Sequence, residues 1–73
     1  MVGRRSESGV VSAFDDAAGV GRILDADGAL IPFHCVSIAD GTRWIAEGTP
    51  VVFSRRPGPT GVVEAVEVTA GPG

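Results

Sequence analysis

The chain contains no lysine and no tyrosine, and it has a single cysteine, a single histidine and a single tryptophan. Each shortage excludes something. Without lysine, the positive charge of 73 residues rests on six arginines against nine acids, for a formal net charge of −3. The broad basic footprint of a protein that grips phosphates mainly by charge is therefore missing. Cys35 has no second cysteine to pair with, so no internal disulfide forms and the cytoplasm is the expected compartment. No apolar run approaches the roughly 18 residues of a membrane-crossing helix. No signal-type hydrophobic stretch follows Arg4 and Arg5. No membrane partner is expected.

Chemistry-bearing constellations are equally sparse. His34 and Cys35 are adjacent but lack the further ligands of a four-coordinate metal site. Asp15-Asp16 and Asp25-Ala26-Asp27 are turn acids with no nucleophile–base pair beside them. Gly19-Val20-Gly21 is too short for a nucleotide-binding fingerprint and is expected to relieve crowding where the backbone bends. The expectation is a protein without metal, cofactor or catalytic activity. Cys35 is read as a small buried hydrophobe.

What remains is rich in strand formers. Apolar residues make up 44 %, eleven of them valine, with eleven glycines and five prolines to make tight turns. The pattern predicts five strands, at about 9–14, 19–24, 29–33, 50–55 and 62–69, with the second and third joined by the turn Asp25-Ala26-Asp27-Gly28. A turn of helix is expected at 35–39, followed by a turn at Asp40-Gly41. No segment shows a convincing helical apolar period. Short strands at regular spacing predict a small barrel, because closing a sheet removes its exposed edges. Residues 9–69 are read as one folded domain, between a flexible segment at 1–8 and a flexible tail at 70–73.

The order of these segments resembles the bacterial cold-shock domain. Gly9, Val11 and Phe14 match the opening strand of that family, and Gly19, Gly21 and Ile23 its first ribonucleoprotein motif. His34 and Ile38 match the second motif. Ile45-Ala46-Glu47-Gly48, then Val51 and Phe53, then Ala65, Val68 and Thr69 follow in the family order. The resemblance implies an all-β fold, a five-stranded antiparallel OB-fold barrel, that binds single-stranded RNA or DNA. The departures fall on the family's binding positions. Ala13, Val20, Arg22, Pro32 and Cys35 stand where it carries aromatic residues that stack on bases, and Val10, Ser12 and Ala18 stand where it carries lysines. Only His34 is unchanged, so binding is expected to be weakened or altered.

Side chains alternate across a strand. With Ile23, Ile31 and Phe33 inside the barrel, Val20, Arg22, Pro32 and His34 face outward together. Arginine and imidazole can both stack on a base, and arginine also pairs with phosphate. The candidate nucleic-acid contacts are therefore Arg22, His34, Pro32, Val20 and Ser12, with Arg43 and Trp44 from the long loop. Each has a plainer reading. Arg22 would pair with Asp25 or a glutamate, and His34 would simply end a strand. Trp44 would cap the barrel, and Arg55-Arg56 would be solvated at a strand end or hold phosphate. Pro32, lacking an N–H, belongs on an edge or a locally unpaired stretch. The aliphatic set Val10, Ala13, Val20 and Pro32 supports a second function, a contact surface for another protein or a second copy of the chain. Val11, Phe14, Ile23, Ile31, Phe33, Ile38, Val51, Phe53 and Val68 are the expected core.

Overall fold

A computed structural model describes residues 6–71. The expected flexibility of residues 1–5 and 72–73 lies outside the described residues. The chain runs through β1 (Glu7–Asp15), β2 (Val20–Asp25), β3 (Leu30–His34), a 3-10 turn at Cys35–Ser37, β4 (Pro50–Pro57) and β5 (Val63–Ala70). Glu7 and Ser8, read from sequence as part of a flexible segment, belong to β1. The strands form one antiparallel sheet in the order β3-β2-β1-β4-β5. The fold is thus all-β, with β3 and β5 as its edges. No ladder joins those edges. Just beyond β3, one parallel bridge links Ile38 to Val68, and the Ala39 amide donates to the Val68 carbonyl at 2.8 Å.

Irregularities in the ladders decide which residues reach the core. Between β1 and β2 the pairing passes from Val11↔Ile23 to Ala13↔Arg22, leaving Ser12 as an extra residue. Such a bulge resets strand alternation. Val11 and Phe14, three positions apart, consequently both point inward. Phe14 sits opposite Gly21 and stacks on Phe33, with ring centroids 6.0 Å apart. Phe14 is only partly buried, packing against the core rather than lying within it as expected. A second irregularity between β4 and β5 leaves one extra residue on β5, where Glu67 adopts φ 54°. This explains the burial of Ala65, Val66 and Val68, which simple alternation would not produce.

The remaining expected core residues are all buried, and Ile23, Phe33, Val51, Phe53 and Val68 are almost fully enclosed. Ile45 joins them at 6 % exposure. Gly21 lets the strands approach closely. A Cβ there would lie 2.6 Å from the Phe33 ring and 2.7 Å from the Ala13 carbonyl oxygen.

One end of the core is polar. Glu7, Asp25 and Arg55 occupy inward positions of β1, β2 and β4. Arg55 Nε donates to both Glu7 carboxylate oxygens at 2.8 and 2.9 Å, while Arg55 Nη2 pairs with Asp25 Oδ2. Asp25 Oδ1 accepts from the Asp27 amide at 2.9 Å and the Ala29 amide at 2.8 Å, so the same carboxylate organises the β2–β3 turn. The Ala29 amide, then Arg55 and the Asp27 amide, hold the Asp25 carboxyl below its ordinary range, against the opposing effect of burial. Arg55, read as solvated or phosphate-binding, instead ties three strands together.

Candidate functional site

The outward face of β1, β2 and β3 is organised in three cross-strand rows. Val10, Leu24 and Leu30 form the first, Ala13, Arg22 and Pro32 the second, and Asp15, Val20 and His34 the third. Four candidate residues, Val20, Arg22, Pro32 and His34, are therefore brought together on one exposed face, as alternation predicted. Ser12 lies beside them at the bulge and is exposed. Leu24 and Leu30, 42 % and 51 % exposed, belong to the same surface and were not singled out from sequence. Their signal was available: each is next to a residue already assigned to the interior.

Pro32 fits this surface for a backbone reason. The bonds from the Cys35 amide to the Gly19 carbonyl and from the Asp25 amide to the Ala29 carbonyl fix the parity of the β2–β3 ladder. Pro32 and Arg22 then form a non-hydrogen-bonded pair, in which the proline nitrogen points away from β2 to the free edge. The missing donor costs no ladder bond.

Arg22 has no ion pair among the described residues. The Asp25 partner expected for it is taken by Arg55. An uncommitted guanidinium thus projects between Ala13 and Pro32. The surface around it is mostly aliphatic, with the imidazole of His34 and the carboxylate of Asp15 in the next row.

Two concavities border the face and share Val20. One is lined by Ala13, Asp15, Val20, Gly21 and Arg22. The other, about 290 Å³, lies between the sheet edges and is lined by Val20, Pro32, Phe33, His34, Thr60, Val62 and Glu64. Thr60 and Glu64 were not identified from sequence, because the β4–β5 turn meets β3 only through the tertiary fold.

Arg43 and Trp44 are placed elsewhere. Trp44 lines a separate hollow with Ile38, Asp40, Thr42, Ile45, Ala46, Thr49 and Ala70, which shares no residue with the two concavities above. Trp44 is 56 % exposed and does not cap the core; its neighbour Ile45 does. The loop is pinned by Asp40, whose Oδ1 accepts from the Thr42 amide at 2.9 Å and hydroxyl at 2.8 Å. These bonds hold the Asp40 carboxyl below its ordinary range. Arg43 adopts a left-handed backbone conformation, with φ 62°.

Cys35 is half-buried and free, packing against the core and against Gly19. Among the described residues, no three His, Cys, Asp or Glu side chains gather to hold a metal, and no helix is long and apolar enough to cross a membrane. The chain matches no known protein-family model and none of the curated proteins with which it was compared.

Proposed function

We propose that this protein is a small OB-type barrel that binds single-stranded RNA or DNA across the outer face of β1–β3, with reduced affinity. The observation that carries the reading is the uncommitted Arg22, flanked by Pro32 and Ala13 and one row from Val20 and His34. The order of the resemblance supports the barrel, as does the Ile38–Val68 bridge that draws the chain beyond β3 towards β5. Arg22 supplies both a phosphate partner and a flat surface for a base, and His34 supplies a second ring. Ser12 offers a hydroxyl at the rim. Arg43 and Trp44 are an accessory contact in a different hollow.

Affinity is low for a physical reason. Stacking a base on an aromatic side chain contributes about 1–3 kcal/mol, and the face itself carries no Phe, Tyr or Trp. The role is binding without catalysis or a cofactor, in the cytoplasm. The direct test is Arg22→Ala, with affinity for a short single strand measured over a salt series. Loss of one phosphate contact lowers the magnitude of the slope of log K against log salt by about 0.7. An unchanged slope and affinity would remove Arg22 from the interface.

A second reading has its own observation. The row Val10–Leu24–Leu30 is aliphatic on all three strands, and each residue is more than 40 % exposed. Such a surface suits a protein partner or a second copy of the chain. Sedimentation of the protein alone separates the two: a dimer that Leu24→Glu dissociates supports the contact surface.

A further inference from the structure

The cleft between the sheet edges has chemistry of its own. Its walls are Val20, Pro32, Phe33 and Val62, and three polar side chains, His34, Thr60 and Glu64, converge on it. None of these three forms a side-chain hydrogen bond or ion pair among the described residues. The Glu64 carboxylate leans over the β4–β5 turn, so close that a Cβ on Gly58 would meet its Oε2 at 2.3 Å. Apolar walls with a few uncommitted polar groups are the usual make-up of a small-molecule or base pocket.

Glu64 decides what can enter. A carboxylate repels phosphate, so the backbone of a nucleic acid stays outside while a neutral base edge fits. The bases differ in what they offer a two-oxygen acceptor. Guanine presents two adjacent N–H donors on its Watson–Crick edge, which a carboxylate accepts in parallel. Uracil and thymine have one N–H between two carbonyl oxygens, and cytosine and adenine place an acceptor nitrogen beside the amino group. In each of these an acceptor faces one carboxylate oxygen, and that repulsion discriminates as strongly as the attraction does. Thr60 supplies a hydroxyl donor for the guanine carbonyl, and His34 a flat ring for its face.

We infer that the cleft between β3 and β5 is a single-base pocket selective for guanine, with Glu64 as its specificity-determining residue. The inference rests on the proposed binding of single strands by the β1–β3 face. Val20, Pro32 and His34 belong to both surfaces, so a strand crossing the face delivers a base to the cleft. Arg22, two residues along β2 from Val20 and so about 7 Å away on the same side, is left for the backbone.

The test uses two DNA hexamers, one all thymine and one with its third thymine replaced by guanine. Backbone amide shifts are followed for the wild type and Glu64→Gln. The guanine hexamer is expected to bind about tenfold tighter, the scale of one good bidentate base contact. Shifts extend to Thr60, Val62 and Glu64, and Glu64→Gln erases the preference, because the amide takes one acceptor from guanine and offers thymine a donor in its place. Equal binding of both hexamers by the wild type, with shifts at Arg22 but none at 60–64, would overturn the guanine pocket and leave the proposed function standing. Absence of shifts with either hexamer would overturn both.

Discussion

Asp25 shows how much one side chain can do in a small domain. Its carboxylate accepts from two turn amides and from Arg55, and these bonds hold its pKa below the ordinary value of 3.8. A carboxyl whose folded-state pKa is depressed contributes stability that is complete above its unfolded value and lost as pH falls through the folded one. Thermal unfolding followed from pH 7 downward is therefore expected to stay level until about pH 4 and then decline. Asp25→Asn lowers stability at neutral pH and makes that decline shallower, with the contribution of Asp40 remaining. A mutant with the wild-type acid profile would contradict this role. Sequence reading placed Asp25 in the right turn and gave it the wrong partner. Arg55 is 30 residues distant along the chain, and no local signal distinguishes it from Arg22 as a partner. Gly21 is a simpler case. Ala at this position would push a methyl group into the Phe33 ring and the Ala13 carbonyl, an overpacking expected to cost about 1–3 kcal/mol in denaturant titrations.

At the scale of elements, all five strands were legible because valine-rich runs are separated by strong turn residues. The alternation that places Val20, Arg22, Pro32 and His34 outside could be read from β2 and β3, which are regular. It could not be read through β1 or β5. Each carries an extra residue, and a bulge depends on how the partner strand is paired. The bulge at Ser12 carries a prediction. Deleting Ser12 leaves Val11 and Phe14 two positions apart, so simple alternation keeps both inward and the ladder to β2 becomes regular. Deleting Arg22 from the regular strand β2 instead makes Gly21 and Ile23 neighbours and sends one of them to the wrong face. The Ser12 deletion is expected to lower the melting temperature much less than the Arg22 deletion. Equal losses for the two variants would mean that Ser12 is not the extra residue of a bulge.

For the molecule as a whole, a chain of this length has little core to spare. Phe53 is 1 % exposed and lies where β1 and β4 pair, opposite Glu7. Phe53→Ala is expected to cost about 3–5 kcal/mol, a large share of the stability of so small a domain. The candidate site was legible only where it lies on regular strands. Glu64 and Thr60 reach it from the other edge of the sheet, and Trp44 lies in a separate hollow that Ile45 also lines. The two surfaces also divide the charged groups: the face holds the Arg22 guanidinium, and the cleft holds the Glu64 carboxylate.

The central claim, that the β1–β3 face binds single strands, is tested most directly by a backbone amide titration with a short pyrimidine-rich oligonucleotide. The account predicts shifts at Ala13, Val20, Arg22 and His34, weakened by salt and by Arg22→Ala, while Glu7 and Asp25 at the polar end stay in place. No shift on this face at millimolar oligonucleotide, or shifts confined to the Trp44 hollow, would contradict it.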